Sequence, residues 1–209
     1  MNIGIIGSGN MGKNLARLWA KKGHNIFITS SDIKQTKEIA ESISKNVNVG
    51  TTAEIVKQDE VIVFAFPYES LNDVINSAGS FSGKIIINII NPLTQDLLGL
   101  KLGFTTSASE EIAKLIPDAK VVTAFNTVPS PVLESEDYRY GFNTSSVFYC
   151  SDDKDAKSVV HKLIEEIGFE AIDSGTLTNA RFIEPMAEFV IQLAFGGLGA
   201  NIALKLMKK

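Results

Sequence analysis

The sequence predicts an α/β fold, a doubly wound parallel sheet with a small helical C-terminal part. Three observations carry that expectation. Short apolar runs alternate with helical patterns through the first half of the chain. Two of those runs, residues 60–66 (EVIVFAF) and 84–90, are almost continuously apolar, as strands covered on both faces are. A glycine triplet at 7–12 follows the first apolar run and opens the first helical pattern.

The elements follow in order. Residues 3–6 read as a strand. Residues 10–22 read as a helix with Leu15, Leu18 and Trp19 on its apolar face, ended by Gly23. A second strand spans 25–29, and a helix over 32–44 is capped by Ser31 or Asp32. A short strand (47–50) and a short helix (52–57) precede the buried run 60–66, which Pro67 ends. Helix 70–77, strand 84–90, a loop over 91–104, helix 109–116 and strand 121–124 complete the alternation. Residues 127–133 form a Pro-containing turn or helix start, and polar 134–144 a surface excursion. Strand 146–150, helix 152–167, strand 170–173 and a closing helix over 177–207 finish the chain. The expected division is a dinucleotide-binding domain over 1–125 and a small C-terminal domain over 126–209 packed on it.

Composition narrows the function. The 209 residues are 44% hydrophobic and 21% charged, an ordinary globular balance. With 24 acids against 20 bases the net charge is −4, which argues against a nucleic-acid backbone as partner. One cysteine, Cys150, cannot form a disulfide within the chain, and two histidines without a Cys cluster offer no metal site. With no basic leader before the first strand, a reducing, cytoplasmic setting is expected. Residues 189–207 are nearly apolar enough to imitate a membrane span. Gln192, Asn201, Lys205 and the glycines at 196, 197 and 199 make them a buried or subunit-interface helix instead.

Gly7-Ser8-Gly9-Asn10-Met11-Gly12 fits G-x-G-x-x-G in the strand-to-helix setting the motif requires. Gly7 permits the tight turn, Gly9 lets backbone approach a pyrophosphate, and Gly12 lets helix and strand pack closely. The helix N-terminus then offers free N–H donors and the positive end of its dipole. The end of the second strand selects the dinucleotide. An NAD enzyme places Asp or Glu there; this chain has Thr29-Ser30-Ser31-Asp32-Ile33-Lys34. Ser30 and Ser31 suit a 2′-phosphate, with Lys34 or Lys37 to neutralise it. Asp32 either binds a free ribose or caps the helix, and capping is the simpler role. NADP is favoured over NAD.

With these residues in place the chain resembles the NADPH-dependent reductases of coenzyme F420 almost end to end. The marks are GSGNMG (7–12), TSS (29–31), AFPYE (65–69), INPL (90–93), SASEEIAKLIPDAKVVTAFNTV (107–128), SDDKDAK (151–157), DSGTLTNARFIEP (173–185) and FGGLGANIALKL (195–206). The resemblance implies a Rossmann-type sheet, a homodimer, and direct hydride transfer between NADP(H) and a stacked F420, flavin or other small-molecule redox acceptor. It implies no catalytic acid or base, so catalysis is positioning. Matched by position, Ser8, Gly9, Asn10 and Met11 would touch the pyrophosphate, Gly7 and Gly12 would complete the cofactor-binding turn, and Ser30, Ser31 and Lys34 would meet the 2′-phosphate. Ala65, Phe66 and Pro67 would lie along the cofactor, Asn91, Pro92 and Leu93 near the nicotinamide, and Ala124, Phe125 and Asn126 in the facing pocket. Two positions depart from the archaeal members: Ser31 stands where they commonly carry Arg, and Asn126 where they carry His.

Other residues have plainer roles. Glu184, before Pro185, reads as a catalytic acid or, more simply, a helix-terminal or inter-subunit ion pair. Cys150 reads as a small core residue, and Tyr138-Arg139-Tyr140 as an adhesive surface cluster. Reduction of a small imine or keto acid, and non-catalytic dinucleotide sensing, stand as alternative functions. The first lacks an evident general-acid Lys and the long helical C-terminal domain of such enzymes.

Overall fold

The computed structural model covers residues 1–209. Six parallel strands form one sheet: β1 (Asn2–Ile6), β2 (Asn25–Thr29), β3 (Val47–Val49), β4 (Val61–Phe64), β5 (Ile85–Asn88) and β6 (Lys120–Thr123), in the order β3-β2-β1-β4-β5-β6. The order reverses direction between β1 and β4, which opens a crevice at the strands' C-terminal ends. Alternate residues of the buried strands feed opposite faces. Ile3, Ile5, Val61, Val63 and Ile87 join a core of 30 buried residues. Ile6, Ile62, Phe64, Ile86 and Ile90 join a second core of 15. The period of two explains why those runs show no polar gaps.

Helices cover both faces. The larger core takes α1 (Asn10–Lys21), α2 (Ile33–Ile43), α6 (Ser130–Ser135) and α7 (Lys154–Glu166). The smaller takes α3 (Thr52–Gln58), α4 (Leu71–Ala78) and α5 (Ala108–Leu115). Starts are marked by side chains: Asp32 accepts from Gln35 N–H, Thr51 and Glu54 form a capping box, and Ser107 and Asp153 cap α5 and α7. Trp19 is fully buried, donates to Leu163 O at 3.0 Å, and meets Phe125 edge-on at 5.9 Å. The larger core thus runs unbroken from residue 3 to residue 169.

Beyond the main sheet, β7 (Arg139–Tyr140) and β8 (Asn143–Thr144) make a small hairpin, and β9 (Ser146–Tyr149) pairs in parallel with β10 (Glu170–Asp173). This second sheet touches the first at Thr123 and Cys150, which exchange both backbone bonds at 3.0 and 3.1 Å. Tyr138 does not belong to a surface cluster. It is buried and stacks on Phe169 at 3.8 Å, because the excursion folds back over the end of α7.

The C-terminal expectation is corrected as well. Helix α8 (Ala180–Leu193) ends in one wide turn, Ala194–Leu198, and 199–209 are not helical. Gly197 and Gly199 take φ of 110° and 70°, left-handed geometry that stops the helix. The tail then runs beside β9, where Ser146 N–H donates to Leu204 O at 2.9 Å. No helix is long and apolar enough to cross a membrane.

Candidate active site

The three motif glycines have three separate reasons. Gly7 takes φ 116°, and a Cβ there would stand 2.0 Å from Ala65 O. A Cβ on Gly12 would stand 2.0 Å from Gly7 O, so Gly12 sets the closeness of α1 to β1. At Gly9 a Cβ would meet nothing within 4 Å, so this glycine answers to no protein neighbour. Gly9 is also the N-cap of α1, with no side-chain cap and no acid in the first turn. Free N–H donors at an open, uncapped helix start are what a pyrophosphate needs.

A cavity of 660 Å³ opens there, lined by Gly7, Ser8, Gly9, Thr29, Ser30, Ser31, Asp32, Ala65, Phe66 and Pro67. Hydroxyls link its floor. Thr36 Oγ1 lies 2.7 Å from Ser30 Oγ and 3.2 Å from Ser8 Oγ, fixing the tip of β2 against the glycine turn. Asp32 caps α2 through Gln35 N–H at 2.9 Å. The sequence reading missed Gln35, Thr52, Ser70, Asp73, Val74 and Ser77 on the same wall. Gln35 comes from α2 after β2, and the others from the short helical segments after β3 and β4, where no motif marks them. Lys34 is exposed on α2 outside the lining, as is Asn10.

Pro67 is shared with a second cavity of 540 Å³, bounded by Tyr68, Glu69, Leu93, Thr94, Gln95 and Lys101. Lys101 pairs with Glu69 across its mouth. Burial, together with the carboxylates of Glu111, Glu184 and Glu69, pushes the Tyr68 phenol up, so it stays a neutral donor.

Asn91 and Leu97 are shared in turn with a third cavity of 320 Å³. Its walls are Met11, Ile89, Phe125, Asn126, Val128 and Pro129 on one side and Ala187, Val190 and Ile191 of α8 with Ala194 of the turn after it on the other. No titratable side chain lines it. Met11, expected at the pyrophosphate, lines this apolar end instead. Ala124 and Pro92 are buried behind the lining. Phe125 is fully buried with φ 64°, a strained conformation held by the rings of Trp19 and Phe169. The Asn91 and Asn126 side chains brace one another: Asn91 Nδ2 donates to Asn126 O at 3.1 Å, and Asn126 Nδ2 donates to Ile90 O at 3.1 Å and Asn91 Oδ1 at 3.2 Å. Gln192 of α8 donates to Leu97 O at 3.1 Å and ties the roof to the 91–101 loop.

Glu184 is neither a free catalytic acid nor half of an ion pair. It is 0% exposed and accepts from Ala108 N–H, Ser109 N–H and Ser109 Oγ at 2.7, 3.0 and 3.0 Å. The neighbouring cation Arg181 pairs with Glu110 instead.

The groove can be compared with known proteins. A family profile described as "NADP oxidoreductase coenzyme F420-dependent" matches residues 2–92. The F420-dependent NADP reductase of Methanocaldococcus jannaschii is 31% identical, over 92% of each chain. Metalloreductase STEAP3 of Rattus norvegicus is 30% identical over 182 residues; the match takes 87% of this chain but 35% of that protein, so the chain spans about a third of the relative's length. A crystal structure from Arthrobacter sp. FB24, of a candidate F420-dependent NADP reductase, superposes with a TM-score of 0.90 over the whole of both chains at 28% identity. A reductive aminase from Aspergillus terreus shares the fold at 14% identity and a TM-score of 0.70. Near-complete alignment with the archaeal reductase, on a fold whose glycine turn is open to a dinucleotide, places this chain in the family of coenzyme F420-dependent NADP oxidoreductases.

Proposed function

We propose that NADP(H) lies along the groove from the 660 Å³ cavity to the 320 Å³ one, and that its hydride passes to a ring acceptor of deazaflavin or flavin type under α8. The observation that carries this reading is the absence of any titratable side chain from the apolar cavity. Reducing an imine or ketone calls for a proton donor at the new N–H or O–H. Hydride transfer between stacked rings calls for distance and dryness. Bound NADPH supplies the hydride; the chain binds, orients and excludes water. The first turn of α1 takes the pyrophosphate. Ser30 and Ser31 take the 2′-phosphate, with Lys34 in the first turn of α2. Ala65, Phe66 and Pro67 flank the cofactor's path, and the Asn91–Asn126 brace presents the nicotinamide end.

Residues 1–125 act as the dinucleotide-binding part, and 126–209 close the acceptor cavity over them. The exposed Phe182, Phe189, Phe195 and Leu198 on α8 and the turn after it suit a homodimer interface. A cytoplasmic compartment fits the one buried thiol, Cys150. The deciding experiment is NADPH oxidation by the purified chain with F420, FMN and a ferric chelate in parallel. Rapid F420 reduction supports the deazaflavin reading. The identity with STEAP3, a metalloreductase, favours a second reading, metal reduction. It requires reduction of the ferric chelate and no turnover of F420.

A further inference from the structure

From the hydrogen bonds that join α5, α8 and the ends of β5 and β6, we infer that Glu184 is a positioning residue that sets both walls of the acceptor cavity. It rests on the reading of the apolar cavity as the acceptor's place. The roof is direct: Glu184 docks α8 onto the first turn of α5, and Ala187, Val190 and Ile191 follow on the same helix. The floor is reached through buried polar groups. Ser109 Oγ donates to Glu184 Oε1 at 3.0 Å and accepts from Asn88 Nδ2 at 2.8 Å and Thr123 Oγ1 at 2.6 Å. Asn88 Oδ1 accepts from Ile90 N–H at 3.1 Å, and Ile90 O accepts from Asn126 Nδ2 at 3.1 Å, where the Asn91–Asn126 brace begins.

One proton arrangement satisfies the network with Glu184 ionised. The Ser109 hydroxyl receives two donors, so its own hydrogen goes to Glu184, whose oxygens face three donors in all. The carboxylate accepts all three at full strength; a protonated Glu184 turns one of its oxygens into a weaker hydroxyl acceptor and adds a donor where three donors already converge. Burial, with some repulsion from Glu110, pushes Glu184 up to about 7 against the three hydrogen bonds. The groups facing it are Glu110 of α5, neutralised by Arg181; Tyr68 after β4; and Cys150 at the end of β9, a thiol that burial pushes up to about 12. Glu188 stands one turn along α8 and is held by Gln192. The ionised form therefore orders the cavity although the fold is more stable with the neutral one: a carboxyl raised above its unfolded value loses stability as pH climbs through 7.

The test compares the wild type with Glu184→Gln, using coenzyme F420 as acceptor. At about pH 8 the variant should raise the KM for F420 roughly tenfold, as expected when one buried donor loses its acceptor, and leave NADPH binding unchanged. Wild-type KM should rise from about pH 8 to about pH 6, either side of the titration, and the variant's should not. Emission of Trp19, the single tryptophan, which packs on the cavity residue Phe125, gives a readout without turnover. Its pH-dependent step should vanish in the variant. Retention of both pH dependences in Glu184→Gln overturns the inference. If F420 is not turned over at all, the acceptor reading falls, and the Trp19 titration still decides the role of Glu184. Should Glu184→Gln fail to fold, Ser109→Ala cuts the path to the floor and keeps both backbone bonds. It should raise KM about threefold in the same direction, and an unchanged KM overturns the inference.

Discussion

The two ends of the groove are built in opposite ways. The dinucleotide end is made by backbone: three glycines within six residues, an uncapped helix start and the tip of the adjacent strand. Its glycines lie close together in the chain, and two of them, Gly7 and Gly12, answer to backbone that a Cβ would strike. The apolar end is made by side chains drawn from residue 11 to residue 200, with walls on the β5 and β6 loops and on α8. Its shape depends on how a helix from the end of the chain docks. At Gly7 and Gly12 the first leaves no room for a side chain. The second is only as rigid as the polar network beneath it.

Substitutions separate the two ends, and within the first they separate fold from binding. Gly7→Ala places a Cβ 2.0 Å from Ala65 O at φ 116°. It should cost about 3 kcal/mol or more, seen as a lower urea midpoint. Gly9→Ala meets open space, so its urea midpoint should hold while NADPH binding weakens roughly tenfold, about 1.4 kcal/mol, in a fluorescence titration. Equal loss of stability in both variants would erase the distinction between a steric and a ligand-serving glycine. At the other end, Ile191→Trp fills the cavity under α8. The KM for F420 should rise severalfold while the NADPH Kd stays put, and a matching loss of NADPH affinity would show the two ends to be one site.

Asp59 gives a control remote from either cavity. Both its carboxylate oxygens are buried without a partner, and burial pushes it up to about 6. A carboxyl raised from 3.8 to about 6 contributes instability that grows as pH rises through that window. Asp59→Asn should therefore gain on the order of 2 kcal/mol at neutral pH and flatten the stability profile between those values, with NADPH binding unchanged. The smallest effect belongs to Asp32→Ala. Loss of the α2 cap should cost about 1 kcal/mol, and removing a carboxylate beside the ribose should widen the NADPH preference over NADH.

Most of the fold was legible because the strands are buried on both faces and punctuated by Gly, Pro and capping residues. The alternation of strand and helix, the glycine turn and the Asp32 cap needed no tertiary information. The closing helix over 177–207 was misread because its apolar composition is shared by helix, tail and cavity wall. Gly197 and Gly199 were visible as glycines, but only their left-handed φ showed that the helix stops before them. Met11 fell within the phosphate motif, yet the turn of α1 that follows Gly9 lines the apolar cavity with it. Glu184 looked like a helix-terminal or inter-subunit ion-pair partner because sequence gives no hint that a helix N-terminus, 76 residues away at Ala108 and 75 at Ser109, is waiting for it.

By itself the sequence determined the parallel sheet, the dinucleotide turn and the redox family, because these follow from short-range sterics, periodicity and ordered motifs. The tertiary structure alone decided where the apolar cavity lies, which residues of α8 roof it, and that Glu184 docks that helix onto α5. Those depend on the docking of segments far apart in the chain, where packing and buried hydrogen bonds, not local pattern, set the geometry.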